Sequence, residues 1–582
     1  VFCIAGSGGR FQPSSVFPDL PMTACQTGRG FFVPIAPFTP SPPRRITALL
    51  FVDRVTKRFG DRIVINEVSF AMDDRDKVAL IGPNGCGKTT LLRIVAGAEE
   101  ADHGAVGGDG AGEGARFLAQ GAVELAGNSA AACMPRLGEL WRLGRGFDAS
   151  SPVSPEAAVD ALEAFERLGG WQVYADVEET LRGLGIDYLD PLQPIDHLSG
   201  GERTKLGLAD LLNQSASLLI LDEPTNHLDL GALAWLEEFL VRYRGALLFA
   251  SHDRALIDSV AAAVIEIDPE THRARRFSGG YTAYTETKDR ERTSQAEAFR
   301  RQQEETERIE EDICRVKQRA ARFDSASQND HWRRIGKKVA RTAKVRERRL
   351  EKKLESEERA EEPRQAWTLR ADLVEVDRSG DIVAEARDLY LAFGTRVLFD
   401  GLSLLVRYRD RIVLTGANGS GKTTLLRLLL GHILPDAGVA RLGSAVVPGY
   451  LSQQQESIDL DRTPLEEIRA CVAVDETTAR TYLHRFLFKG DEVFTRNRSL
   501  SYGQRARLSL ARLVLGGVNL LVLDEPMNHL DIPSRERFEE ALAGFHGTVI
   551  AVSHGRYFVR CFAGRLLVLE GGRLRESDPA AI

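Results

Sequence analysis

The chain contains the same module twice, and that constrains its fold more than any other feature. GPNGCGKTTLLR, Gly82 to Arg93, recurs as GANGSGKTTLLR, Gly416 to Arg427, displaced by 334 residues from Lys88 to Lys422. Further on, LSGGERTKLGLADLL (Leu198 to Leu212) returns as LSYGQRARLSLARLV (Leu500 to Val514), LLILDEPTNHLD (Leu218 to Asp229) as LLVLDEPMNHLD (Leu520 to Asp531), and SHD (Ser251 to Asp253) as SHG (Ser553 to Gly555), all displaced by 302. A long repeat with motifs in register means two copies of one folded unit. The change of displacement places about 31 extra residues in the first copy, between Gln120 and Leu198.

G-x-x-x-x-G-K-[ST] is satisfied at Gly82, Gly87, Lys88 and Thr89 and again at Gly416, Gly421, Lys422 and Thr423. Each match follows a short apolar strand (Val78 to Ile81; Ile412 to Thr415) and opens an amphipathic helix, the context a phosphate-binding loop needs. Its glycines let backbone N–H groups and a helix N-terminus surround phosphate oxygens. The lysines supply charge to the β- and γ-phosphates of ATP, and the Thr89 and Thr423 hydroxyls ligate Mg²⁺. LLILDE and LLVLDE predict buried strands whose ends deliver paired carboxylates: Asp222 and Asp524 for Mg²⁺, Glu223 and Glu525 as general bases on the attacking water. His252 and His554 lie 29 residues after those glutamates, each just past an apolar strand, and are read as γ-phosphate sensors. Phe59 and Phe393 each precede the loop lysine by 29 residues and are placed to stack on the nucleotide base.

Between the copies the composition changes. From about Glu286 to Glu362 the chain is charged and almost free of Gly and Pro, with apolar residues at Ile309, Ile313, Val316, Ala320 and Phe323 in alternating steps of four and three. A polar break at Phe323 to Asp330 precedes a second periodic stretch that Pro363 stops. The pattern predicts an antiparallel helical hairpin roughly 45 to 55 Å long. Its far end is basic: Arg315 to Arg349 carries 13 Lys or Arg against three acidic residues, net +10, with His331 and Trp332 beside the turn to stack on bases.

The order of motifs resembles the ABC-F subfamily of ATP-binding cassette proteins: two cassettes in one chain, DEPTNHLD after the strand, and a charged linker introduced by FSGGYTAYTETK. The resemblance covers about residues 46 to 582. It implies an α/β fold of two P-loop NTPase ATP-binding cassettes joined by an α-helical antiparallel coiled-coil hairpin linker. Residues 1–45 read as a disordered leader from an extended or misassigned translation start. Cassette 1 spans 46–285 with a compact helical arm within about 121–170, the linker 286–375 and cassette 2 376–582. In this family the cassettes close face to face on ATP and Mg²⁺. One site then combines Phe59, Gly82, Asn84, Gly85, Gly87, Lys88, Thr89, Thr90, Gln120, Asp222, Glu223 and His252 with Ser501, Gly503 and Gln504. The other combines Phe393, Gly416, Asn418, Gly419, Gly421, Lys422, Thr423, Thr424, Gln453, Asp524, Glu525 and His554 with Ser199, Gly201 and Glu202. Gln120 and Gln453 join the Mg²⁺ ligands, and Met527, Tyr502 and Gly555 depart from the first copy. The resemblance further implies a monomer without obligate protein subunits that binds the 70S ribosome at the tRNA exit site. The hairpin would face rRNA and P-site tRNA, the arm the uL1 stalk, and the role would be to regulate or rescue translation or to protect the ribosome from antibiotics.

Composition narrows this. The formal charge of −7 argues against a surface that binds nucleic acid everywhere, so the +10 segment is a local reversal. Seven scattered cysteines without a C-x-x-C pair indicate neither disulfides nor zinc and point to a reducing cytoplasm. No run of about 18 apolar residues occurs, which speaks against a membrane span. Two other readings keep the cassettes but change the partner: a DNA-maintenance ATPase, and the ATPase of a transporter with separate membrane subunits. The first is expected to carry a C-terminal coiled coil, which the 28 residues after His554 do not read as, and a basic hairpin serves no purpose in the second.

Overall fold

The computed structural model describes residues 49–118, 129–148, 155–325 and 378–582, except Ser215, His227, Thr395, 453–457, Leu487, Lys489, His529 and Ile582, plus six positions between Lys338 and Arg348. The leader, Gln120, Gln453, and residues 326–337 at the hairpin's turn lie outside the described residues.

Each cassette holds two sheets with one helix between them. Strands that alternate buried and exposed residues pair antiparallel: Leu50–Phe59 with Arg62–Met72 and His103–Gly107, and Ile382–Phe393 with Arg396–Arg407 and Ala437–Leu442. Strands apolar throughout and buried on both faces assemble parallel, as such runs must. In the first cassette their order is Ala115–Leu118, Leu218–Asp222, Ala246–Ala250, Lys77–Ile81, Ala263–Ile267, with antiparallel Ala274–Ser278 at the edge. The second cassette repeats it with Pro448–Leu451, Leu520–Asp524, Thr548–Val552, Arg411–Gly416, Arg565–Glu570 and Arg573–Ser577.

The helix Lys88–Val95 buries Leu91, Leu92, Ile94 and Val95 in a core shared by both sheets; Lys422–Leu429 does the same in the second cassette. At about 1.5–3 kcal/mol per buried aliphatic side chain, this packing fixes where the helix begins. The opposite face of each parallel sheet is covered by helices, and there the copies differ. Gly138–Asp148, Pro155–Arg167 and Gly170–Gly183 stand in the first cassette where the second has Pro464–Cys471 and Glu476–Arg485. Phe165 of the middle helix is fully buried and meets Trp171 and Tyr174 edge-on at centroid distances of 4.9 and 6.0 Å.

The linker helix runs from Tyr281 to Ser325, 45 residues and about 68 Å at 1.5 Å each. It exceeds the length expected from the charge pattern because its first turns are docked: Tyr284 donates to Glu266 at 2.8 Å, and Tyr281 reaches Glu536 of the second cassette at 2.9 Å. The six described positions between 338 and 348 are helical. No helix among the described residues is long and apolar enough to cross a membrane.

The cassettes meet through reciprocal contacts. Asp531 accepts from the Asn84 amide at 2.9 Å, and Asp229 accepts from the Asn418 amide at 3.3 Å. Arg254 pairs with Glu539 at 3.4 Å, and Arg556 with Glu237. Each pair equals the other with the cassettes exchanged, so the interface has an approximate two-fold relation.

Candidate functional site

Strand order brings the chemistry together. The loop after Lys77–Ile81, the carboxylates ending Leu218–Asp222 and the histidine following Ala246–Ala250 leave the same edge of three neighbouring parallel strands, where open α/β sheets bind ligands. Gly87 caps the helix at φ +105° and Gly421 does so at +102°, and a Cβ on Gly87 would stand 2.8 Å from the Val64 carbonyl. No side chain caps either helix, which leaves N-terminal N–H groups for an anion. Lys88 Nζ donates to the Gly82 and Pro83 carbonyls at 2.8 and 3.2 Å; Lys422 does the same to Gly416 and Ala417 at 2.8 and 2.9 Å. Both ammonium groups are thereby held over the loop.

Glu223 and Glu525 sit at φ +51° and +49°, a left-handed conformation that costs a non-glycine residue on the order of 1–3 kcal/mol. The Glu223 amide donates to the Ala250 carbonyl at 2.9 Å, tying that strained turn to the adjacent strand. Burial pushes the Glu223 carboxyl up to about 7 against the Lys88 and Arg535 charges, and burial likewise raises Glu525. His252 Nε2 lies 3.1 Å from Asn84 Oδ1, 3.3 Å from Glu223 and 3.5 Å from Lys88 Nζ. Burial, with Lys88 nearby, holds His252 well below its ordinary pKa, and burial with Lys422 lowers His554 to about 3, so both imidazoles are neutral.

The residues fit Mg²⁺ in a specific way. Both Asp222 oxygens are buried beyond good hydrogen-bond geometry to any described residue, the Thr89 hydroxyl being the nearest donor, and burial raises the Asp222 pKa against that hydroxyl and Lys88. A buried carboxylate left so calls for a cation. Phe59 and Phe393 are 52% and 57% exposed, free to stack, each at a two-residue turn pairing it with Arg62 or Arg396.

Two cavities contain these groups. One of 450 Å³ is lined by Phe59, Arg62, the first loop, Asp222, Glu223, Asn226 and His252. A second, of 860 Å³, joins Ser199, Gly201 and Glu202 of the first cassette to Asn418, Gly419, Glu525 and His554 of the second. Ser501, Gly503 and Gln504 are not among the residues lining the smaller cavity. Both signature serines cap their helices: Ser199 Oγ accepts from the Glu202 amide and Ser501 Oγ from the Gln504 amide, each at 3.2 Å. Ser199 Oγ also donates to the Glu202 carboxylate at 2.7 Å. Burial opposes, but the Tyr188 and Ser199 hydroxyls hold Glu202 below the usual carboxylate range.

Sequence reasoning missed Arg62 and Arg396, although both stand three residues after the aromatic, in FGDR and FGTR. Arg396 donates to the Gly419 carbonyl at 3.0 Å. It also missed Arg535, for which the repeat carries no signal.

The family described as ABC transporter matches residues 65–226 and 399–528. ABC transporter F family member 2 of Arabidopsis thaliana is 32% identical over 90% of this chain and 77% of its own length. The tylosin resistance ATP-binding protein TlrC of Streptomyces fradiae is 34% identical over 89% of this chain and 96% of its own. Among solved structures, that of an archaeal ribosome recycling factor with the ribosomal stalk protein aP1 superposes with a TM-score of 0.54 at 17% identity, covering 90% of this chain and 89% of that one, a likeness of fold.

Proposed function

The chain belongs to the ABC-F family and is a tandem-cassette ATPase, and from that premise we propose that it binds the ribosome and uses ATP binding and hydrolysis to regulate or rescue translation. The observation that carries this reading is the +10 charge of the sequence from Arg315 to Arg349, whose first eleven residues end a helix with its root between the cassettes. Positive charge concentrated there suits rRNA or tRNA phosphates, with the exit site as the place of docking. The likeness to a protein named for tylosin resistance extends the reading to relief of an antibiotic's block on the ribosome. The arm lies within about 121–170, a stretch whose described helices are Gly138–Asp148 and Pro155–Arg167.

Glu223 and Glu525 each accept the proton of an attacking water in their own site. His252 and His554, neutral, donate to the γ-phosphate, and the loops hold the triphosphate with Lys88 and Lys422. Ser199, Gly201 and Glu202 complete the second site, and Ser501, Gly503 and Gln504 complete the first on closure. Asp222 with Thr89 and Gln120, and Asp524 with Thr423 and Gln453, would hold Mg²⁺, whose charge would offset that of the phosphates. ATP then favours the closed state and its hydrolysis releases it.

The test is Glu223→Gln combined with Glu525→Gln, which should trap the ATP-bound form, co-sediment with 70S ribosomes and inhibit translation in vitro. Binding to duplex DNA or to lipid vesicles with indifference to ribosomes would sink the proposal. Reversing charge at Arg333, Arg334, Lys337 and Lys338 should weaken ribosome effects and leave basal ATPase intact.

A further inference from the structure

Four residues after Asp531, in the helix Ile532–Ala543, stands Arg535; four residues after Asp229, at the matching place of the first cassette, stands Leu233. The difference falls on the interface. Arg535 leaves its own cassette and donates through Nη1 to the carbonyl of His252 at 2.9 Å. Its Nε is enclosed without a hydrogen-bond partner among the described residues, and its charge acts on Glu223 as well as on Asp253 and Glu539. Glu539, one turn further along the helix, also takes Arg254 from the first cassette at 3.4 Å, and Glu536 lies 3.7 Å from the same guanidinium, so two carboxylates face the two cations. Leu233, by contrast, is buried in its own cassette's core and presents only hydrocarbon to the cavity of the second site, a cavity that Arg535 also lines while its hydrogen bond goes to His252 of the first.

We propose that Arg535 is a trans-acting positioning residue of the first ATP site: by gripping the His252 backbone it makes the placement of His252 and Glu223 depend on the second cassette being docked, and the second site has no such grip. The proposal rests on Glu223 and Glu525 being the bases of two hydrolytic sites. His252 is the residue to fix because its ring lies within 3.3 Å of Glu223 and 3.1 Å of Asn84. Asn84 is also the residue whose amide Asp531 receives, so Asp531 and Arg535, one helical turn apart, hold both sides of the same site. In the second site both ring nitrogens of His554 are buried without a hydrogen-bond partner among the described residues, and Nε2 stands 3.6 Å from Glu525. No described residue of the first cassette hydrogen-bonds that imidazole, although the charges of Asp229 and Lys205 act on it.

The experiment measures steady-state ATP hydrolysis of the full chain with one site reporting at a time. In a Glu525→Gln background the first site reports; in Glu223→Gln, the second. Arg535→Leu should lower kcat about tenfold more in the first background than in the second, with KM for ATP moving less than about twofold, because Arg535 holds the histidine rather than the nucleotide. Arg535→Lys, which keeps a cationic donor, should recover at least a third of the lost kcat. Equal losses in the two backgrounds, or a lysine variant no better than leucine, would overturn the proposal by reducing Arg535 to an interface prop. Should Arg535→Leu fail to fold, Arg535→Gln takes its place beside Arg535→Lys: a larger loss in the first background supports the grip, and equal losses overturn it. Wild-type turnover in the Glu223→Gln, Glu525→Gln chain overturns the assignment of the bases instead, a result obtained without touching Arg535.

Discussion

In the first nucleotide site Phe117 lies on the strand beside Asp222, whose oxygens are beyond good hydrogen-bond geometry to any described residue; in the second, Tyr450 holds Phe117's register and donates to Asp524 at 3.2 Å. In the first, the Thr225 and Ser251 hydroxyls lie 3.4 Å apart; in the second, Thr225 is replaced by the buried Met527. Asn528 donates to the Glu525 carboxylate, and the signature facing the second site carries the anion Glu202 where the other carries Gln504. The backbone shows none of this divergence, with the two glutamates within 2° of each other in φ and the capping glycines within 3°. Geometry for hydrolysis is therefore set by main chain that both copies keep, and side chains that touch the catalytic groups are where the copies separate.

The comparison breaks most visibly if the bases are removed one at a time. Replacing both glutamates by glutamine should lower turnover about 10²- to 10⁴-fold, and the single variants should leave unequal remainders, read by phosphate release. Equal remainders would mean that the polar differences around the two sites have no kinetic weight. A second effect appears without nucleotide. The folded Glu223 pKa of about 7 exceeds the unfolded 4.5, so its contribution to stability is intact below 4.5 and is lost as pH rises through about 7. Urea unfolding between those values should show Glu223→Gln losing less stability than the wild type, on the order of 1–3 kcal/mol at the upper end. The buried neutral histidines act in the opposite sense, weakening the fold as pH falls below 6.5, and are common to both chains in that measurement.

Smaller effects sharpen the contrast. Tyr450→Phe gives the second site the first site's residue and removes a bond worth about 1 kcal/mol, so the Mg²⁺ concentration needed for half-maximal hydrolysis in a Glu223→Gln background should shift by several-fold. No shift would show that the hydroxyl is idle. Smallest is Thr225→Met, which removes a long hydroxyl contact and should cost about 0.5–1 kcal/mol by thermal melting.

Much of the site could be read from spacing because strand ends and turns are local. The matched 29-residue intervals reflect the fixed lengths of the strands between Phe59 and Lys88 and of the helix Leu230–Arg242 and strand Ala246–Ala250 between Glu223 and His252, and the structure brings Lys88, Glu223 and His252 to one sheet edge. The interface could not be read that way. Arg535 is one more charge on a helix until the opposing cassette is docked, and Tyr281 falls outside the charged run that marked the linker from Glu286, although its hydroxyl reaches Glu536. Such contacts depend on rigid-body placement, which no local pattern encodes. The serines of LSGGE and LSYGQ carry a second role that the motif did not announce: each is the N-cap of its own helix.

The docked root of the linker helix has a mechanical consequence. A rigid rod of about 68 Å magnifies any reorientation at its base. Tyr281 is fastened to Glu536 and lies under the Arg254 guanidinium, 5.9 Å from the ring, so one end of the rod is clamped where the cassettes meet. A pivot of about 5° there sweeps the Ser325 end through about 6 Å, more than the 4.7–4.9 Å between neighbouring strands. Movements too small to disturb the packing of either cassette become displacements of nucleotide size at the far end.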